Sequence, residues 1–417
     1  NLLDKASIIL TPTAYNNGEA LCVKPSDGSG DFDFSRATDA TRINSLGLVE
    51  TIGINLPRIN YEGFSYDGSG NVVPDSGCGS WLFEPQSTNL ITQSEDFSQW
   101  LASGCTVGNS SSVVSPSNSN NIGIITGTIG TGAKFARINV ITSSSILTYS
   151  AFFKYNSHQW VQFASGGTSE YANFDIQNGV VGNKLSGTTS TIDNFGNGWY
   201  RCTLSTSVAS TPSNMALVLI DTANSSRLDA TSSVGSAYIW GAQLEQQSYA
   251  TSYIPTSGST VTRNQDLCTN GGSLASINST EGTLYFEGSG LVNGGVNRYM
   301  GLSDNTTSNR LQLVFASTTN RLQIGGTNMT AINYNSFVQT DNNKIAFSYS
   351  ASGVRAFVNG VLVGSNTDNA SFPTNTLTTL DFALWNQTSL PFHGKVKALA
   401  VWKEALSDQE LLKLTTI

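Results

Sequence analysis

Lys344-Ile345-Ala346-Phe347-Ser348-Tyr349, the turn Ser350-Ala351-Ser352-Gly353, and Val354-Arg355-Ala356-Phe357-Val358-Asn359-Gly360-Val361-Leu362-Val363-Gly364 together decide the fold class. β-branched and aromatic runs flank a Ser-Gly turn, and Asn359-Gly360 stands between Val358 and Val361. A two-residue type I′ loop needs positive φ at both central residues, which Asn and Gly tolerate, so this dipeptide is the strongest hairpin signal in the chain. Hairpins of this kind predict antiparallel sheet.

Composition extends the reading to the whole chain. Its 417 residues suggest about two to four domains at ~100–200 residues each. Ser plus Thr number 100, Asn 39 and Gly 40, and charged residues are only 12%. The average soluble protein has ~25% charged residues. Disorder combines low hydrophobicity with high charge, whereas 39% of this chain is hydrophobic, including 7 Trp, 14 Tyr and 19 Phe. Lys plus Arg is 21 against 29 acidic residues, for a net charge of −8. No basic cluster offers to neutralise phosphates, so no nucleic-acid partner is expected. Nowhere do 18 apolar residues run together, so no membrane insertion is expected, and Asn1-Leu2-Leu3-Asp4-Lys5 lacks the features of a signal peptide. Cys22, Cys78, Cys105, Cys202 and Cys268 show no paired spacing and read as small buried hydrophobes with an exposed thiol or two, which fits folding in a reducing cytoplasm.

Texture divides the chain into residues 1–88, 89–266, a Ser/Gly/Asn-rich linker at 267–281, and 282–417. The first segment has short strand-like runs such as Ala6-Ser7-Ile8-Ile9-Leu10, too few to build a core alone, and is read as packing on partner subunits or the next domain. In the second, Leu147, Tyr149, Ala151, Phe153 and Tyr155 alternate onto one face. Trp199-Tyr200-Arg201-Cys202, Met215 to Ile220 and Gly235 to Leu244 repeat the strand pattern, with Trp199 and Trp240 among the core candidates. The last segment ends in a short helix announced by the capping box Ser407-Asp408-Gln409-Glu410 before Leu411, Leu412 and Leu414. The predicted fold is all-β: tandem antiparallel sandwiches (jelly rolls) after an irregular β-rich N-terminal segment, with one short C-terminal helix.

Three segments carry family resemblances. Lys344 to Tyr349, Val354 to Gly364, and Gly394-Lys395-Val396-Lys397-Ala398-Leu399-Ala400-Val401-Trp402 running into Ala405 to Leu411 resemble the concanavalin A-like, LamG-type sandwich. Asn89 to Trp100, Gly196 to Cys202, Ile239 to Glu245 and Ala250-Thr251-Ser252-Tyr253-Ile254-Pro255-Thr256 resemble a carbohydrate-binding-module-like jelly roll common in bacteriophage virion proteins. Leu2 to Ser7, Asp33 to Thr38 and Ala40 to Asn44 are similar to the start of phage fibre-like proteins. The resemblance implies a virion-surface fibre or adhesin made in the host bacterial cytoplasm, often a homotrimer. It would contact other virion proteins and a host cell-surface glycan, with residues 1–88 for attachment and oligomerisation. A structural head fibre or decoration protein without ligand is the alternative, and a capsule depolymerase a further one.

Function has to be argued at sites. Glycoside hydrolysis needs two carboxylates ~5–10 Å apart. The strand-like Leu380-Asp381-Phe382 offers one, and Glu95-Asp96 would face opposite ways on a strand. His158 beside Tyr155, and His393, are read as solvent-facing polar residues, and no catalytic residue is expected. Among loop aspartates, Asp31, Asp33, Asp304, Asp341 and Asp368 are where such sandwiches would hold calcium; turn formation is their ordinary use, so no cofactor is expected, with calcium as the alternative. Sugar binding needs exposed aromatics ringed by amides and hydroxyls, and the candidates are Trp160 and Tyr171 near the Ser165–Ser169 turn, Tyr299 after Asn297-Arg298, and Trp385 before Asn386-Gln387.

Overall fold

Asn359 and Gly360 adopt φ of +49° and +79°, and Val358 faces Val361 across the two-residue loop between strands Gly353–Val358 and Val361–Asn366. The Asn359 side chain locks the loop to the next strand, its Oδ1 accepting from the Lys344 N–H at 2.9 Å. The computed structural model describes residues 1–416 apart from 70, 76, 145, 167–168, 208–213, 317–318, 326–329 and 335–336.

The hairpin forms one edge of an eight-stranded antiparallel sheet. The order continues through Asn343–Ser350, Gly282–Gly290, Gly394–Trp402, Ser80–Phe83 and Ile59–Asn60, with Ile8–Leu10 also pairing Gly394–Trp402. A five-stranded sheet, Thr330–Asn333, Arg321–Ile324, Arg310–Phe315, Arg298–Ser303 and Thr379–Asp381, supplies the opposing layer. The core between them contains Leu284, Phe286, Phe315, Phe347, Leu380 and Val401. On the outer face of the larger sheet, the capped helix Asp408–Thr415 buries Leu411 with Trp402, Phe357 and Tyr285, while Leu412 stays exposed.

The second sandwich places six strands against six. One sheet runs Leu101–Ser103, Lys134–Asn139, Asn214–Ile220, Trp160–Gly166, Tyr171–Asp175 and Val180–Lys184. The other runs Cys105–Ser110, Ile122–Gly127, Ser236–Glu245, Ile146–Tyr155, Trp199–Ser207 and Thr189–Asn194. Tyr149, Ala151, Phe153, Phe163, Phe174 and Leu217 fill the space between, as alternation requires. Trp199 and Trp240 are buried, but outside that core: they lie with Phe152 and Tyr253 beneath Val49 of the N-terminal segment. All five cysteines are free; only Cys78 is exposed.

Residues 1–88 are therefore not a layer of their own. Ile8, Leu10, Phe32, Phe34, Trp81 and Phe83 belong to the C-terminal core, while the hairpin Ala40–Ile43 with Val49–Ile52 lies against the jelly roll. Chain ends nearly 400 residues apart meet: the Ser7 N–H donates to the Val401 carbonyl at 2.7 Å, and Trp402 Nε1 to the Leu2 carbonyl at 2.9 Å. Residues 267–281 are a correction to the linker reading. Leu267–Thr269 pairs with Phe32–Ser35, Cys268 and Ile277 enter the core, and Gly271 and Leu380 exchange hydrogen bonds of 2.9 and 2.8 Å. Small residues there serve close packing: a Cβ on Gly271 would lie 2.2 Å from the Phe32 ring.

Where these pieces meet, five charged side chains are almost wholly buried. Arg58 bonds Glu84 at 2.8 Å and also Asp266, Arg36 bonds Asp266 at 3.0 Å, and Arg263 lies 3.5 Å from Glu84. Three cations against two anions leave a positive excess, which carbonyls absorb: Thr38, Gly53 and Leu56 for Arg36, Thr41 for Arg58, Pro85 for Arg263. Burial alone would raise the Glu84 carboxyl, but the Arg263 and Arg58 guanidiniums and hydrogen bonds from Ser252 hold it down at about 2. Removing one partner of a buried ion pair costs about 3–5 kcal/mol. Asp266→Ala is therefore expected to lower the unfolding free energy by that amount in denaturant titration, with the amides of 52–60 and 263–269 losing exchange protection first.

The two histidines are a second correction. His158 is buried, Nδ1 lying 2.8 Å from Ser233 Oγ and Nε2 3.0 Å from the Ile220 carbonyl, and burial lowers its pKa. His393, also buried, is pushed down to about 4, mainly by desolvation. An imidazole whose folded pKa is depressed protonates first in the unfolded chain, so stability falls as pH drops from 6.5 toward 4. For His393 that loss is on the order of 3 kcal/mol, at 1.36 kcal/mol per pKa unit. His393→Gln should flatten the dependence in that window, measured by thermal unfolding across pH. The Glu84 contribution, a depressed carboxylate, is lost only as pH falls from about 4.5 toward 2.

Candidate functional site

On Trp160–Gly166, Val161 and Phe163 point into the jelly-roll core, so the register puts Trp160, Gln162 and Ala164 on the outer face. The neighbouring strand presents Tyr171, Asn173 and Asp175 on the same face, paired with Ala164, Gln162 and Trp160. Across the sheet, one row reads Arg137, Ala216, Ala164, Tyr171. Trp160 and Tyr171 thus share a face with Phe135 and Arg137, all four half-buried, with the rings packed on Ala164, Ala216, Val218 and Ile220. The Arg137 guanidinium and the Tyr171 hydroxyl have no hydrogen-bond or ionic partner among the described residues, so both remain available.

A loop crosses this face between the two aromatics. Gln162 Nε2 donates to the Ser226 carbonyl at 3.0 Å, and its Oε1 accepts from the Leu228 N–H at 2.8 Å. Asn173 Nδ2 donates to the Ala223 and Ser225 carbonyls at 3.0 and 2.7 Å, while its Oδ1 accepts from Gln162 at 2.8 Å. Trp160 leans into the space left by Gly182, where a Cβ would lie 3.0 Å from the indole. Trp160 and Tyr171, four residues apart along the strands and so about 13 Å at ~3.3 Å per residue, therefore flank the loop as two separate apolar surfaces. Gly167 and Thr168 of the turn before Tyr171 lie outside the described residues.

The other two candidates lie on the C-terminal sandwich. Tyr299 is buried at 7% exposure with Val314, Ala316 and Leu384, its N–H donating to the Leu390 carbonyl at 3.2 Å. It serves packing, which corrects its reading as an exposed platform. Trp385 is half-buried in the turn that Asn386 closes by accepting from the Ser389 N–H at 2.9 Å. Sequence reasoning missed Phe135 and Arg137; alternation through Lys134-Phe135-Ala136-Arg137 carries the signal, but only the strand pairing shows which neighbours they meet.

Carboxylates singled out from sequence are engaged elsewhere. Glu95 accepts from the Tyr253 hydroxyl at 2.8 Å, and Asp96 caps the turn at Phe97–Gln99 through the Ser98 hydroxyl at 2.6 Å. Asp381 is buried and accepts from the Asn270 N–H at 2.7 Å and the Thr379 hydroxyl at 2.9 Å; burial raises its pKa against these bonds. Among the calcium candidates, Asp31 accepts from the Cys22 N–H, Asp33 from Asn270, and Asp304 from Thr306 and Asn309. Among the described residues no three His, Cys, Asp or Glu side chains converge as a metal would require.

Because Asn173 holds the covering loop by two bonds, Asn173→Ala should release it. The expected cost is about 1–3 kcal/mol for the partners left unsatisfied. Hydrogen exchange at 223–228 should rise while the strand amides of Trp160–Gly166 stay protected.

Residues 275–412 match the model of the concanavalin A-like lectin/glucanases superfamily. Among solved structures, the chain is similar to the Ruminococcus gnavus IT-sialidase CBM40 bound to α2,3-sialyllactose, at 15% identity over 33% of this chain and 83% of that one, TM-score 0.29. It is also similar to domain 4 of AbnA, a GH43 extracellular arabinanase from Geobacillus stearothermophilus in complex with arabinotriose, at 15% identity over 41% of this chain and 84% of that one, TM-score 0.31. A third, the K499G mutant of the NanB sialidase from Streptococcus pneumoniae, is 17% identical over 34% of this chain and 25% of that one, TM-score 0.30. No curated protein sequence matches the chain.

Proposed function

We propose that this protein is a non-enzymatic glycan binder of a bacteriophage virion surface, a fibre or adhesin that presents its two sandwiches to host glycans. The observation that carries the binding reading is the jelly-roll face on which Trp160, Tyr171 and Phe135 are half-exposed beside the unpaired Arg137. Aromatic rings cover the apolar face of a sugar, and the surrounding amides and hydroxyls meet its rim. The concanavalin A-like match over 275–412 adds a second sandwich from a superfamily that includes lectins. Weak single contacts would gain strength from several copies on one particle, as a trimeric fibre provides.

Binding is favoured over hydrolysis because, among the described residues, five of the six buried carboxylates (Glu84, Asp175, Glu245, Asp266 and Asp381) are held in ion pairs and hydrogen bonds that brace the fold, which leaves Glu170 without a second free buried carboxylate. A structural decoration protein is the second reading, favoured by the burial of Tyr299 and by the loop lying between Trp160 and Tyr171.

A glycan array probed with the full chain tests the reading. Binding of a host-surface oligosaccharide should fall about fivefold or more in Trp160→Ala/Tyr171→Ala, since aromatic stacking contributes ~0.5–1.5 kcal/mol per contact. Retained affinity in that variant moves the site elsewhere, and release of reducing ends from host polysaccharide overturns the non-enzymatic reading. Immunogold labelling of intact particles should place the protein on their exterior.

A further inference from the structure

A second, chemically different site lies where the N-terminal segment meets the C-terminal sandwich. Strands Ser80–Phe83 and Ile59–Asn60 extend the eight-stranded sheet past Gly394–Trp402, and the junction leaves a polar cleft of about 130 Å³. Ser80 and Ser289 line it at 8% and 6% exposure, and neither hydroxyl has a hydrogen-bond partner among the described residues. Lys395 and Lys397 enter from the last strand. Lys395 is satisfied, 2.5 Å from Glu62, whereas half-buried Lys397 has no ionic or hydrogen-bond partner among the described residues. The remaining groups are occupied: Asn60 Oδ1 accepts from the Ile43 N–H at 2.8 Å, Asn342 donates to Glu287 at 3.1 Å, and Thr340 accepts from Asn293 at 3.2 Å.

The cleft therefore offers one free ammonium and two free hydroxyls in a recess with no aromatic wall. Drug-sized ligands need ~300–1,000 Å³, so this space suits a single ring or chain end. Hydroxyls that can donate or accept fit the vicinal hydroxyls of a sugar, and the one unneutralised cation calls for one anionic group. We propose that this cleft binds a terminal sugar residue bearing a carboxylate, a uronic- or sialic-acid type of chain end, with Lys397 on the carboxylate and Ser80 and Ser289 on ring hydroxyls. The choice of a saccharide rests on the glycan-binding reading above; the choice of an anionic one rests on Lys397 alone.

Ligand-observed NMR with the full chain provides the test, using methyl glucuronide, N-acetylneuraminate, methyl glucoside and acetate as probes. At least one acidic sugar should bind, with Lys397→Gln weakening it about tenfold, more than Trp160→Ala/Tyr171→Ala does. Ser289→Ala, which removes only the hydroxyl from the same recess, should weaken it without affecting Lys397 itself. Equal binding of glucuronide and glucoside, equal binding of acetate, no acidic sugar bound, or indifference to Lys397→Gln would each overturn the proposal. The two readings fail separately: loss of glycan binding only in the Trp160/Tyr171 variant leaves the cleft unsupported, and binding only through Lys397 leaves the aromatic face unsupported.

Discussion

Asp266 is the point on which the arrangement of the chain turns. Its carboxylate accepts from Arg36 and Arg58 and from the Glu84 N–H at 2.8 Å, while its own N–H donates to the Glu84 carbonyl at 2.9 Å. The last residue of the 89–266 segment thus fixes three points of the N-terminal segment, immediately before the strand Leu267–Thr269 enters the C-terminal core. Burying five charges is expensive, and an apolar set of the same shape could be as stable. What such a set would lack is direction. Arg36, Arg58 and Arg263 each require particular carbonyls, so a misplaced strand leaves a buried cation unpaired. The network discriminates between pairings more than it stabilises any one of them.

That discrimination matters because the N-terminal segment has two apolar jobs and little apolar material. Ile8, Leu10, Phe32 and Trp81 complete the C-terminal core, and Val49 with Ile43 covers Trp199 and Trp240 on the jelly roll. Strand addition to a sheet is governed by backbone bonds that any extended segment can make. The ionic cluster at the crossing point supplies the register that short strands of two to four residues cannot supply by side-chain pattern alone.

Legibility in the sequence followed the range of the interaction. The Asn359-Gly360 hairpin, the Ser407–Glu410 capping box and the alternation from Leu147 to Phe153 are local, and each appears where its pattern predicts, whereas Tyr155 at the strand end is exposed. The pairing of Ile8–Leu10 with Leu399 to Val401 is not local, and a three-residue apolar run says nothing about its partner. Burial was misjudged for His158 and His393 and went unseen for Arg36, Arg58 and Arg263 for the same reason: charged and polar types are usually exposed, and only the carbonyls and carboxylates contributed from distant segments make their burial tolerable. The Trp160 and Tyr171 face was half legible. Polar turns beside aromatics pointed to it, yet Arg137 and the loop at 223–228 join it only through strand pairing and the amides of Gln162 and Asn173.

Low charge shapes how such surfaces would meet a ligand. Only 12% of residues are charged, and five of those are spent in the interior network. With a net charge of −8 the long-range field steers no anionic ligand inward, so association of such a ligand should proceed no faster than the unsteered range of ~10⁵–10⁶ M⁻¹s⁻¹. Selectivity then falls on short-range features: ring faces at Trp160 and Tyr171, which favour apolar sugar surfaces, and an isolated cation at Lys397, which favours an anion. The Glu62 carboxylate in the same cleft is taken up by Lys395, which leaves Lys397 without an ionic partner among the described residues. Since neither feature speeds encounter, residence at either would have to come from slow release.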